Sequence, residues 1–102
     1  SKKSVFPLPS KPEAITLLPG GKVAIAESLR NQVLIVDFET ANHRRQAVDV
    51  GDDPRELLLS NDRTILWVSC RADQKLQAID PSAGRTLWQV ELPFPPHSLA
   101  ED

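Results

Sequence analysis

A Pro-x-x-(Ile/Leu) motif recurs along this sequence at a constant interval. It begins at Pro12, Pro54 and Pro96, so each step is 42 residues. A fixed period of this size is typical of repeat proteins, in which each repeat is one supersecondary unit that stacks on its neighbours. The period constrains the architecture strongly, but it does not specify a function, because one scaffold can host many unrelated activities.

Each period contains four short apolar runs separated by turn residues. Between the first two runs, Pro19-Gly20 suits a type II turn, since proline fixes φ and glycine accepts a positive φ. The runs are rich in the β-branched residues that favour strands. The predicted strands span 13–18, 22–27, 33–38 and 46–50 in the first period, and 55–60, 64–70, 76–80 and 86–92 in the second.

The second and third strands of each period are apolar on both faces. A sheet with water on one face would show alternating polar and apolar residues there, so neighbouring units must cover both faces. Stacked sheets of about 42 residues each indicate a β-propeller. We therefore predict an all-β chain with two four-stranded antiparallel blades and an overhanging strand at each end. The predicted segments are 1–11 (outer strand of a preceding blade), 12–53 (blade one), 54–95 (blade two) and 96–102 (inner strand of a following blade).

Two segments resemble known propeller repeats. The run Ala78-Ile-Asp80-Pro-Ser-Ala-Gly84-Arg-Thr-Leu-Trp88 resembles the Ala-x-Asp-x-x-x-Gly-x-x-x-Trp docking motif of pyrroloquinoline-quinone-type repeats, and Val33–Pro54 is similar to the YVTN-type repeat. Both types belong to the quinoprotein-like propellers. The resemblance implies that Trp88 packs between adjacent blades, so that Trp88→Ala would cost about 3–5 kcal/mol. It also implies a periplasmic or secreted location. The first blade departs from the tryptophan motif, with Arg45 near the tryptophan position.

Composition and blade number limit the partners. The formal net charge of −2 gives no electrostatic basis for binding nucleic acid or anionic membranes, and no apolar run has the roughly 20 residues of a spanning helix.

The single cysteine, Cys70, cannot form an internal disulfide and is expected to be a buried, inert thiol. Because propellers have about four to eight blades, we predict that further blades complete the ring, from a longer chain or from a homo-oligomer.

The sequence contains no phosphate-binding loop, no metal-ligand spacing of Cys and His, and no serine elbow. We therefore predict no cofactor and favour a non-catalytic binding or scaffold module that presents its loops to a protein or small ligand. The alternative is a segment of a quinone- or metal-dependent periplasmic oxidoreductase whose catalytic residues lie mostly on other blades.

Candidate residues follow from the repeat positions. Asp37 and Asp80 end equivalent strands and are expected to accept hydrogen bonds from their own turns, and Gly84 supplies the positive φ of one turn. His97 shares a repeat position with Glu13 and Arg55 at the predicted mouth of the central channel, and it is a weak metal-ligand candidate. The connections at one end of the blades supply the ligand-face candidates Arg30, Asn31, Asp52, Asp53, Arg71, Asp73, Lys75 and His97.

Overall fold

The computed structural model describes residues 12–94, which form eight strands in two sheets. Sheet one contains β1 (Ala14–Leu18), β2 (Lys22–Glu27), β3 (Gln32–Asp37) and β4 (Arg44–Asp49), and sheet two contains β5 (Pro54–Leu59), β6 (Leu66–Cys70), β7 (Lys75–Asp80) and β8 (Arg85–Glu91). Strands pair antiparallel in chain order within each sheet. No helix occurs among the described residues. The prediction of an all-β chain with two four-stranded antiparallel sheets is confirmed; the predicted strands in 1–11 and 96–102 lie outside the described residues.

Equivalent loops of the two sheets share one backbone geometry. Asn31 precedes β3 and Gln74 precedes β7, and both adopt a left-handed conformation with φ of 53° and 51°. In each sheet the carbonyl of this residue accepts a hydrogen bond from the residue after the fourth strand, from Val50 N at 3.0 Å and from Leu92 N at 2.6 Å. The shared geometry shows that the sequence period corresponds to a structural repeat.

The main hydrophobic core lies between the two sheets. Sheet one contributes alternate residues of its strands, because side chains alternate between the faces of a strand. Sheet two covers them with buried residues of β6 and β7 and with the partly buried Leu57 and Leu59 of β5. The buried core residues are Leu18, Ala24, Val33, Ile35 and Val48 from sheet one, and Leu66, Val68, Cys70 and Ile79 from sheet two. The two sheets therefore stack face to face and stabilise each other by removing these side chains from water.

Trp88 lies on the face of sheet two that points away from sheet one, which we call the outer face of sheet two. The register aligns Leu58, Trp67, Ala78 and Trp88 across the four strands, so their side chains share this face. The two indoles pack edge to face with ring centroids 5.2 Å apart. Trp88 is 46% exposed. It does not lie between the two described sheets, because β8 directs its apolar residues to the opposite face.

A buried glutamine connects sheet two to the segment that joins the sheets. Gln77 is 4% exposed, and its Oε1 accepts hydrogen bonds from Gly51 N at 2.6 Å and from Cys70 Sγ at 3.3 Å. The short bond to the Gly51 amide fixes the start of the inter-sheet connection against β7.

Replacing Gln77 with leucine is expected to lower the free energy of unfolding by about 1–3 kcal/mol, because the partly buried Gly51 N–H is left without its acceptor. Urea unfolding of the variant measures this loss. Gln89→Leu is the matched control, since Gln89 is exposed on β8 and its substitution should change the stability by less than about 0.5 kcal/mol. Equal stability losses in the two variants would contradict the role given to Gln77.

Candidate functional site: the loop-edge cleft

Three connections meet at one edge of the stacked sheets, which we call the loop edge. They are 28–31 between β2 and β3, 50–53 between the sheets, and 71–74 between β6 and β7. They share an edge because antiparallel strands alternate in direction and the two sheets are stacked in the same orientation. The candidates Arg30, Asn31, Asp52, Asp53, Arg71 and Asp73 all lie in these connections, and Lys75 begins β7. His97 lies outside the described residues.

The loop edge contains a cleft of about 460 Å³. Three of the candidate residues, Asn31, Asp52 and Asp53, line it. Glu13, Ser28, Leu29 and Arg55 also line it and were not predicted as ligand-face residues. The complete lining is Glu13, Ser28, Leu29, Asn31, Asp52, Asp53 and Arg55. Arg30 and Arg71 are exposed and are not among these residues.

Arg55 lines the cleft and joins the two sheets. Its Nε lies 2.8 Å from Asp53 Oδ1, and its Nη1 lies 3.3 Å from Glu13 Oε1. Glu13 precedes β1 and Arg55 is the second residue of β5, so this pair connects the first strands of the two sheets. All three side chains are partly exposed, and each pair contributes at most about 1 kcal/mol. Their main effect is therefore to position the guanidinium and carboxylates.

The inter-sheet connection is held by side chains from both sheets. Asp53 N donates to Asn31 Oδ1 at 3.0 Å, and Asp52 N donates to Asp73 Oδ2 at 2.8 Å. Asp53 adopts a positive φ of 61°, which a non-glycine residue keeps only when its surroundings enforce it. Asp73 also lies 3.9 Å from Lys75 Nζ. Asp73 and Lys75 thus support the loop edge, while Asn31 both accepts from Asp53 N and lines the cleft together with Asp52 and Asp53.

Asp37 and Asp80 lie at the opposite edge, where they accept hydrogen bonds from their own turns. Asp37 Oδ1 accepts from Glu39 N at 2.9 Å, and Asp80 Oδ1 accepts from Ser82 Oγ at 2.7 Å and Ser82 N at 3.0 Å. The Ser82 hydroxyl is the main reason that the pKa of Asp80 is lowered from its usual value. Gly84 closes the same turn with a φ of 69°.

Cys70 ends β6 beneath the loop edge and is fully buried. Burial raises the pKa of its thiol from the ordinary value of 9.0 to about 11. The thiolate is the reactive form, so the native protein holds this cysteine in its unreactive state.

We expect Cys70 in the native protein to react with Ellman's reagent at least about 100-fold more slowly than in the unfolded chain, since a pKa of about 11 instead of 9.0 lowers the thiolate fraction at pH 8 by that factor. Absorbance measurements with and without denaturant give the two rates. A native rate within a few fold of the unfolded rate would show that Cys70 is accessible.

No group of three or more His, Cys, Asp or Glu side chains within residues 12–94 has a geometry that could hold a metal ion. The same part of the chain contains no helix long and apolar enough to cross a membrane. The lining of the cleft offers three carboxylates, one guanidinium, the Ser28 hydroxyl, the Asn31 amide and one exposed leucine.

The structure is similar to a chain of Kuenenia stuttgartiensis hydrazine synthase, a β-propeller-containing protein, with a TM-score of 0.74 at 18% sequence identity. The present chain has a propeller-like fold. The match covers 83% of the present chain and 24% of the hydrazine synthase chain, so the likeness concerns about a quarter of that chain. Comparison of the sequence with protein-family models and with curated proteins gives no match. At this identity, the similarity establishes the fold and not the activity.

Proposed function

We propose that this chain is a two-blade part of a β-propeller and serves as a non-catalytic binding or scaffold module. Blade one spans 12–53 and blade two spans 54–95, with strands of the neighbouring blades in 1–11 and 96–102. The loop-edge cleft is the surface that meets a protein or small ligand. The Ala78-to-Trp88 motif supports assignment of the blades to the quinoprotein-like group.

The internal repeat supports the propeller. Ala24, Val33, Ile35 and Val48 of sheet one pack against sheet two. Their repeat equivalents, 42 or 43 residues later, are Trp67, Leu76, Ala78 and Val90. These equivalents lie on the outer face of sheet two. That face is therefore the repeat equivalent of the face that sheet one buries against sheet two. A further blade, from a longer chain or from a second copy, is the partner that fits it.

The observation that carries the binding role is the fixed geometry of the loop-edge cleft. Arg55, Glu13 and Asp53 are held together by ion pairs, and the adjoining connection is fixed by hydrogen bonds from both sheets. A surface organised before binding loses little conformational entropy when a partner docks. The exposed Leu29 beside these charges offers an apolar contact.

The alternative function is a segment of a quinone- or metal-dependent oxidoreductase. The similar chain belongs to a protein named as a synthase, but at 18% identity this likeness supports a shared fold and does not choose between the two roles. In the oxidoreductase case the two blades would support a catalytic site formed largely by residues elsewhere, and the loop edge would border the site.

A photo-cross-linking amino acid at Leu29 in the natural full-length protein tests the binding role. We expect it to capture one defined partner, and Leu29 is suitable because it lines the cleft and is 79% exposed. The same amino acid at Ala41, an exposed residue of the opposite edge, is the control and should not capture that partner. Absence of a Leu29-specific product would contradict the proposal.

The oxidoreductase alternative predicts a different result. Pyrroloquinoline quinone or a metal ion would bind to the full-length protein and would make it reduce an artificial electron acceptor. Cofactor-dependent turnover, lost when the cofactor is removed by dialysis, would overturn the non-catalytic role and support the alternative.

A further inference from the structure

A second cavity, of about 420 Å³, opens at the edge opposite the loop-edge cleft. We call it the turn-edge pocket. It is formed by the β1–β2 turn of sheet one and by the β5–β6 and β7–β8 turns of sheet two, so it requires both sheets. Its lining residues are Leu18, Pro19, Lys22, Arg63, Thr64, Asp80, Pro81 and Ser82.

The pocket combines an apolar surface with two cationic side chains. Leu18 and Pro81 are buried and Pro19 lies beside them. Lys22 and Arg63 supply the positive charges. A cavity with apolar walls and a few polar groups is the usual form of a small-molecule site. The Lys22 ammonium and the Arg63 guanidinium are hydrogen-bond donors without acceptor capacity.

Both cations are available to a ligand. Within residues 12–94, neither Lys22 nor Arg63 forms an ion pair, whereas Arg55 and Lys75 at the loop edge are paired with carboxylates. Asp80 is the one acidic residue of the lining, so the formal charge of the lining is +1 from two cations and one anion.

The carboxylates of Asp62 and Asp80 accept hydrogen bonds within their own turns and keep their negative charge. Asp62 Oδ1 accepts from Ser60 Oγ at 2.6 Å and from Thr64 Oγ1 at 2.7 Å. Asp80 Oδ1 accepts from Ser82 Oγ and from two backbone amides. These bonds also fix the turn that carries Arg63, whose φ is 64°. The rim of the pocket is thus organised without the participation of Lys22 or the Arg63 guanidinium.

We propose that the turn-edge pocket binds a small organic anion. Its phosphate or carboxylate group is held by Lys22 and Arg63, and its apolar part lies against Leu18, Pro19 and Pro81. Such a ligand matches the charge of the lining and the apolar wall together. The site is independent of the loop-edge cleft because it lies at the opposite edge of the sheets.

Nuclear magnetic resonance titration of the 102-residue chain with phenyl phosphate and with benzoate tests this site. We expect saturable shifts in the backbone amides of residues 18, 22, 63, 64 and 82 at millimolar concentrations. Added salt should weaken binding, since these cations are near the surface. Tighter binding of phenyl phosphate would identify a phosphate ligand, and tighter binding of benzoate a carboxylate ligand. Benzyl alcohol, an uncharged probe of similar shape, should bind more weakly than both anions.

Variants separate a specific site from general attraction to positive charge. Lys22→Gln and Arg63→Gln should each weaken phenyl phosphate binding about threefold or more, as expected for loss of one exposed charged contact. Lys22→Arg should retain binding. Arg71→Gln removes the same charge at the opposite edge and should leave binding unchanged. The proposal is overturned if the anions cause no saturable shifts, if benzyl alcohol binds equally well, or if all three glutamine variants behave alike.

Discussion

Leu66→Ala is expected to lower the free energy of unfolding by about 2–5 kcal/mol, the range observed when a buried leucine is truncated and leaves a cavity. Leu66 is fully buried in the core between the sheets. It lies opposite Leu59 and Ile79 in the register, so its loss leaves a void in the layer that holds the two sheets together. Urea unfolding followed by tryptophan fluorescence measures the change. If the slope of the unfolding free energy against urea concentration is the same in the variant and the parent chain, only the stability has changed.

Leu29→Ala is the matched control for this prediction. It removes the same atoms from a side chain that is 79% exposed, and its effect should stay within about 0.5 kcal/mol. If Leu66→Ala were as stable as Leu29→Ala, the two sheets would not share the core described here.

Trp88→Ala is expected to lower the free energy of unfolding of this chain by about 2 kcal/mol. Truncation of a fully buried tryptophan costs about 3–5 kcal/mol, but Trp88 is 46% exposed, so only about half of its apolar surface is removed from water. The edge-to-face contact with Trp67 accounts for part of the loss. Thermal or urea unfolding of the chain gives the value.

The same substitution also tests the proposed propeller. In a longer protein that supplies the next blade, Trp88 would be covered, and the cost should rise to the full 3–5 kcal/mol. Leu87→Ala is the control, because Leu87 is 45% exposed and precedes Trp88 on β8. An equal cost of Trp88→Ala in the short and long proteins would argue against a blade packed on the outer face of sheet two.

The strands could be predicted from the sequence because their signals are local. Turn residues such as Pro19-Gly20 and Gly84 separate apolar runs, and the observed strands begin and end within two residues of the predicted bounds. The recurrence of the pattern after 42 residues indicated that one unit is used twice. The surroundings of Trp88 could not be predicted equally well. The motif implies that a neighbouring blade covers this side chain, whereas the described sheets leave it partly exposed on the outer face of sheet two.

The loop edge was predicted from topology, but its chemistry was not. Asn31, Asp52 and Asp53 were candidates because they lie in connections at the same end of the strands. Arg55 was not a ligand-face candidate, although its ion pairs with Glu13 and Asp53 organise the cleft. The repeat placed Glu13 and Arg55 at equivalent positions 42 residues apart, and this was the available signal for their proximity.

The sequence by itself determined the period, the strand order and the antiparallel pairing, since these depend on turn residues and on the apolar pattern along the chain. Only the tertiary structure decided which faces are buried and which side chains meet. The stacking of the sheets brings Arg55 to Glu13, and it places Arg63 and Lys22 around one pocket. Such contacts join residues far apart in the chain, and they depend on the relative position of two sheets that no local sequence pattern specifies.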